Sequence, residues 1–459
     1  MNFQALSESY RDEYLKKVIQ ILKIPSVYEK SESFPFGEGI DQALNTMLAI
    51  GEKDGFLTKN VDGQAGHIEY GSGEELLGIL GHLDVVPPGS GWSTDPFEPV
   101  IKEGKLYARG AQDDKGPVMA AYMAMKLLKD QGFEPRKRVR LIVGTDEERD
   151  WQGIDHYFAR EEMPALGFTP DASFPVIHAE KGLLDGYLNF PPVPVEESPV
   201  SIQKLTAGDR LNMVPDEAKV WLKTDMNLED SFYTYVKDRG VEGHIEQVGD
   251  TYAIVCHGVS VHASTPEFGR NAITTLIGYL TTLPLEEGIR NRLQALEHAF
   301  SETDGSGVGI QQRDQESGAL TLNLGSLQLD TDGSMKVGFN LRYPVTADFQ
   351  GIETTWKTFA AEWDGEYEVY DHLKALYIEK DHPFIQTLLE VYNESTGEQE
   401  SAKSMGGATY ARSLKAGVAY GALFKHSPDT AHQKDEHVYV KDMIKAIEIY
   451  AKAIYELTK

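Results

Sequence analysis

The residues of this 459-residue chain that could do chemistry are a few carboxylates and imidazoles at particular places. His82 closes an apolar run and is followed two positions later by Asp84. On an extended segment the two side chains point the same way, and an imidazole that holds a metal needs a carboxylate to anchor its second nitrogen. Asp113-Asp114-Lys115-Gly116 stands directly before an expected helix, Thr145-Asp146-Glu147-Glu148 directly after an expected strand. Asp171 follows Pro170, and His432 lies in Ala431-His432-Gln433-Lys434-Asp435-Glu436 near the far end of the chain. Taken singly, each reads as an ordinary polar group. Together, His82, Asp113, Glu148, Asp171 and His432 make a mixed nitrogen and oxygen donor set suited to zinc, manganese or cobalt. Two divalent ions would balance Asp113, Glu148, Asp171 and one hydroxide, so the cluster avoids the penalty of burying net charge.

The elements that must position these groups follow from periodicity. Leu76–His82 and Val139–Gly144 read as strands, and open α/β sheets place ligand sites beyond the carboxyl ends of such strands. Helices are expected at Glu8–Lys23, Ile40–Asp54 and Val118–Lys129, the last opened by Asp113, Asp114 and Pro117 and closed by Gly132. After Gly186 the texture changes to a weak internal repeat. Asn212–Asp225 reads as strand, Pro215-Asp216 turn and strand. Leu320–Arg342 reads as strand, Asp332-Gly333 turn and strand, followed by a helix at Phe349–Trp363 and a strand near Tyr367–Tyr370. From about Leu376 the α/β texture returns, with helices near Pro383–Ser395 and Lys441–Leu457.

Composition narrows the partners. Forty-four Lys and Arg against 72 Asp and Glu give a net charge of −28, a sign that repels nucleic-acid phosphates and anionic lipid. The single cysteine, Cys256, forms no internal disulfide, and no stretch approaches the length of an apolar membrane span. With no signal-type amino terminus, a cytoplasmic protein that touches neither nucleic acid nor membrane is expected.

Four motifs in order resemble a known family across essentially the whole chain: Gly81-His82-Leu83-Asp84-Val85-Val86-Pro87; Arg109-Gly110 with Asp113-Asp114-Lys115-Gly116; Asp146-Glu147-Glu148; and Gly258-Val259-Ser260-Val261-His262-Ala263-Ser264-Thr265-Pro266. The chain is similar to the dinuclear-zinc metallopeptidases that include aminoacylases, glutamate carboxypeptidases, desuccinylases and carnosine dipeptidases, and most of all to their bacterial dipeptidase branch. The resemblance implies that His82 and Asp171 hold one zinc, Glu148 and His432 the other, and that Asp113 bridges them across a cis Asp113–Asp114 peptide. It implies that Asp84 orients His82 and that Glu147 is the general base. It further implies that His262 and Asn212 meet the tetrahedral oxyanion, and that Arg342 pairs with the substrate's terminal carboxylate, for which its planar fork is suited. The segment Met405-Gly406-Gly407-Ala408-Thr409-Tyr410-Ala411-Arg412 resembles a pocket-lining stretch of the same branch, with Ala408 in place of a third glycine, and brings Thr409 and Arg412 among the substrate-binding candidates.

The fold implied is a zinc-peptidase-like α/β catalytic domain, its mostly parallel central sheet flanked by helices on both faces, with an inserted α+β lid domain built from a duplicated ββαβ unit. The boundaries are 1–186 and 378–459 for the catalytic domain and 187–377 for the lid. A doubled lid serves in one chain what a partner's lid serves in dimeric relatives, so a monomer is expected. The activity implied is hydrolysis of unblocked dipeptides with two zinc ions per chain, manganese or cobalt being acceptable substitutes. An N-acyl amino acid amidohydrolase of aminoacylase or desuccinylase type is the alternative of like chemistry, and a non-catalytic binding relative the alternative of another class. Dimetal phosphoester hydrolysis leaves the contexts of His262 and Arg342 unexplained.

Overall fold

The strand Leu76–His82 is buried at every position, as a strand covered on both faces must be. In a computed structural model that describes residues 1–194 and 197–459, it pairs in parallel with Arg138–Gly144 on one side and Leu166–Thr169 on the other. Gly417–Ala419 continues the parallel run beyond Leu166–Thr169, and antiparallel strands extend the sheet at both ends. The period-two alternation of side chains sorts the core into two layers. Leu77, Ile79, Leu141 and Val143 join one cluster with the helices Lys115–Asp130 and Val440–Thr458. Leu80 and Ile142 face the other way, onto Ile154 and Tyr157 of the helix Gln152–Phe158 and onto Tyr410. The sheet is therefore parallel at its centre and helix-covered on both faces.

This α/β unit comprises Met1–Ala179 and Leu376–Lys459. Gly81 explains one detail of its central strand: a Cβ there would stand 2.4 Å from Val118 and 2.5 Å from the Asp114 carboxylate, so the helix start can approach the strand end only over a glycine. The expected helix Glu8–Lys23 is two helices, Phe3–Ser9 and Arg11–Leu22, broken at Tyr10, whose hydroxyl donates to Asp130.

The second unit, Glu180–Ala375, is built on an eight-stranded antiparallel sheet. Its strand order is Glu242–Val248, Thr251–His257, Glu217–Lys223, Ser201–Ala207, Thr321–Leu329, Met335–Tyr343, Gly182–Phe190 and Glu366–Leu373. Each half pairs an antiparallel strand couple with a helix, Glu229–Arg239 in the first and Phe349–Ala361 in the second, and the halves meet at Leu205↔Leu329 through Ala207↔Leu327. The first couple is Ser201–Ala207 with Glu217–Lys223, so the reading of a strand at Asn212 is corrected. Gly208 turns left-handed (φ +69°), the following segment leaves the sheet, and the Asn323 amide donates to the Leu211 and Met213 carbonyls that would otherwise pair with a strand. Among the described residues no helix is long and apolar enough to cross a membrane.

Candidate metal centre

Three parallel strands end side by side, and each hands a donor to the same edge. His82 is the last residue of its strand and pairs with Gly144, so Glu147 and Glu148 come one short turn beyond their own strand end. Asp171 follows the strand Leu166–Thr169 by two residues. Asp113 stands just before the helix Lys115–Asp130 and is joined to Asp114 by a cis peptide bond. His432 comes from the loop before His437–Tyr439, in the left-handed conformation (φ +61°). Topology thus converts five positions scattered over the sequence into one cluster.

The donor atoms fall into two groups that share one residue: His82, Asp113 and Asp171, and Asp113, Glu148 and His432, the atoms of each lying within 4.8 Å of one another. His82 Nε2 is 2.9 Å from Asp113 Oδ1 and 3.6 Å from Asp171 Oδ2. His432 Nε2 is 3.1 Å from Asp113 Oδ2 and 2.9 Å from Glu148 Oε1. The supporting contacts set ring and carboxylate orientation. His82 Nδ1 donates to the backbone carbonyl of Asp84 at 3.0 Å, which leaves Nε2 facing the carboxylates. The Asp84 carboxylate, 3.4 Å from that Nδ1, accepts the backbone N–H groups of Glu147 and Glu148 at 3.2 and 3.1 Å. Asp84 therefore aligns the histidine chiefly through its carbonyl and the two glutamates through its side chain.

Electrostatics report where positive charge is wanted. Hydrogen bonds that His432 donates to Asp113 and Glu148 push it up to about 11. Burial works against a charged His82, yet Asp113, Asp171 and Asp84 outweigh it and hold its pKa well above the usual histidine range. Burial raises Asp171, Glu148 and, most strongly, Glu147, each also repelled by neighbouring carboxylates. Asp113 alone is lowered, because the two imidazoles overcome its burial. Anions packed this closely around two imidazole nitrogens fit a pair of divalent cations, and imidazole with carboxylate is a donor set that zinc, manganese and cobalt all accept.

Several participants have no counterpart in the sequence reading. Glu436 and Arg109 form a fully buried ion pair at 2.6 Å. Burial pushes Glu436 up to about 7, while Arg109 and backbone N–H groups pull it down. Tyr410 sets its ring edge-on to His82 with centroids 6.2 Å apart. Asp114 accepts the His82 backbone N–H at 3.2 Å. Arg109 beside Gly110 and Glu436 four residues after His432 are the signals that could have found them, but their pairing is invisible before folding.

The pocket-segment candidates lie in the same unit. Thr409 is buried and its hydroxyl accepts the Ala411 N–H, and Arg412 donates to the Gly407 carbonyl at 2.9 Å. In the second unit, the structure gathers the remaining three. Asn212 and His262 are joined through the Ala263 N–H to Asn212 carbonyl bond at 2.9 Å and a bridge between Met213 and His262. Arg342 is buried, donates to Asn340 at 3.2 Å, and Asn340 in turn donates to Asp185 at 2.6 Å. Burial and the nearby Arg342 charge bring His262 down to about 4, so the ring is neutral near pH 7. Its Nδ1 accepts from the Ser264 backbone N–H at 3.3 Å, with the Ser264 hydroxyl 2.7 Å away, which assigns the ring proton to Nε2.

Comparison with known proteins shows the family and the fold. The model of Peptidase family M20/M25/M40 matches residues 78–456. The chain is 42% identical, over all of both chains, to "Putative dipeptidase YtjP" of Bacillus subtilis. It is 39% identical, over 98% of each chain, to "Putative dipeptidase SSP1012" of Staphylococcus saprophyticus. The fold matches the crystal structure of aminoacylhistidine dipeptidase from Vibrio alginolyticus with a TM-score of 0.61 at 14% identity, covering 97% of this chain and 96% of that one.

Proposed function

Because the chain belongs to Peptidase family M20/M25/M40 and is a peptide-bond hydrolase, we propose that it is a dinuclear metallo-dipeptidase acting on unblocked dipeptides. The observation that carries this reading is the position of Asp113, whose two oxygens face two imidazoles and so offer one carboxylate to two cation sites. His82 and Asp171 would hold one ion, Glu148 and His432 the other. Zinc is the ion proposed. When bound, such a pair supplies an acidified water and a polarised carbonyl.

The chain's own groups do the rest. Glu147, held beside the donors by the Asp84 grip on its N–H, takes the proton of the attacking water onto a carboxyl oxygen and passes it to the leaving nitrogen. Its buried setting raises its proton affinity toward that task. Neutral His262, protonated on Nε2, donates to the oxygen that gains charge, with Asn212 beside it. Arg342, already aligned by Asn340, receives the substrate's terminal carboxylate. Thr409 and Arg412 are assigned to the substrate pocket. We assign the second unit the part of a lid, the protein to the cytoplasm, and the active form to a monomer.

The test is a substrate panel on the zinc-loaded protein. Unblocked dipeptides should be cleaved, and N-acetylated dipeptides, N-acyl amino acids and tripeptides should not. Preference for N-acyl amino acids would move the assignment to an amidohydrolase, and inactivity toward all of them to a non-catalytic relative.

A further inference from the structure

The ligands Asp113 and His432 sit on two loops that are bound to one another by side chains belonging to neither donor set. Glu436 is buried, and its carboxylate turns into the loop that precedes Asp113. Its Oε1 accepts the backbone N–H groups of Gln112 at 2.7 Å and Asp113 at 3.1 Å. Its Oε2 accepts the Gly110 N–H at 3.1 Å and the Arg109 guanidinium at 2.6 Å. The Glu436 carbonyl also receives the Ala108 N–H at 3.1 Å, continuing the pairing of His437–Tyr439 with Lys105–Tyr107. From the opposite side, the Gln112 amide donates to Asp429 at 2.9 Å and accepts the N–H and hydroxyl of Thr430 at 2.9 and 2.7 Å.

We propose that Glu436 and Gln112 are positioning residues that lace the Asp113 loop to the His432 loop and thereby set the affinity of the Asp113–Glu148–His432 cation site. The proposal rests on the two-ion reading given above. Four hydrogen bonds converge on this one buried carboxylate, and Arg109, 5.2 Å from the Trp92 ring, supplies the opposite charge beside it. The consequence is asymmetric. The Asp113–Glu148–His432 site draws two of its three donors from the laced loops. The His82–Asp113–Asp171 site draws only the shared Asp113 from them, its other donors standing on strand ends. Orienting contacts of this kind are worth about 10- to 100-fold in metal affinity.

The experiment strips the full chain with a chelator and titrates it calorimetrically with Co2+ alone. The parent should bind two equivalents. Glu436→Gln keeps the side chain's shape but turns one acceptor oxygen into a donor facing other donors, and should weaken one of the two equivalents 10- to 100-fold while leaving the other within about threefold. Gln112→Ala cuts only the half-buried side of the lacing, leaves the core intact, and should weaken the same equivalent severalfold. A purely structural role would lower the melting temperature and affect both equivalents alike. Equal weakening of the two, or unchanged titration in Gln112→Ala, overturns the proposal while the two-ion reading stands. A parent that takes up fewer than two ions overturns both.

Discussion

Asp113 Oδ1 stands 2.9 Å from His82 Nε2 while Asp113 Oδ2 stands 3.1 Å from His432 Nε2. One carboxylate thus joins a strand end in the first fifth of the chain to a loop close to its last helix. Substituting the shared residue must therefore damage both cation sites, whereas substituting either histidine damages one. Asp113→Asn should lose both ions on desalting, and His432→Gln should retain one, as elemental analysis of the purified proteins would report. Equal losses in the two variants would contradict a bridging role.

Glu147 is expected to handle protons without holding a cation. Glu147→Gln should keep two ions per chain and lose turnover by on the order of 10²–10⁴. Retained turnover with full metal content would reject Glu147 as the base.

Arg342 is expected to act on binding. Removing a charge-assisted hydrogen bond costs about 1.5–3 kcal/mol, so Arg342→Met should raise KM for a dipeptide about 10- to 100-fold. The parent should show a similar loss when the dipeptide's carboxylate is amidated, and the variant should scarcely distinguish the two substrates. Arg342→Lys should not restore the parent value, because an ammonium lacks the planar fork. A variant that still prefers the free carboxylate would remove Arg342 from this role.

A pH effect on stability is expected from a histidine outside the cluster. His67 is buried with Nδ1 2.7 Å from the Tyr157 hydroxyl, and burial, aided by Arg140, lowers it to about 4. The unfolded chain takes a proton on His67 below its ordinary value near 6.5 while the folded chain does not. Stability is therefore complete above pH 6.5 and is lost as pH falls from 6.5 toward 4, by at most about 3 kcal/mol. Thermal unfolding of His67→Gln across that window should show a shallower fall than the parent; parallel curves would refute the assignment.

A single chain carrying both halves of the eight-stranded sheet should work alone. Sedimentation of the active enzyme should give a monomer of the 51.0 kDa chain. Activity that disappears when a dimer dissociates would refute this.

The strand Leu76–His82 and the helix starting after Asp114 were legible because local patterning dictates them: an unbroken apolar run, and acids before a Pro-bearing helical start. Donor types taken together picked out His82, Asp113, Glu148, Asp171 and His432 as one candidate set, and the family resemblance added Glu147. The strand placed at Asn212 failed because the carbonyls there are taken by Asn323, a partner more than a hundred residues away. The same limit hid the Glu436 grip on Gly110, Gln112 and Asp113. Residue types and their order along the chain determine which chemistry this protein carries and which elements hold it. Which oxygen faces which nitrogen, and which buried carboxylate steadies the loops, is decided only when strands pair in parallel and bring their ends to one edge, since those contacts join groups that sequence separation keeps apart.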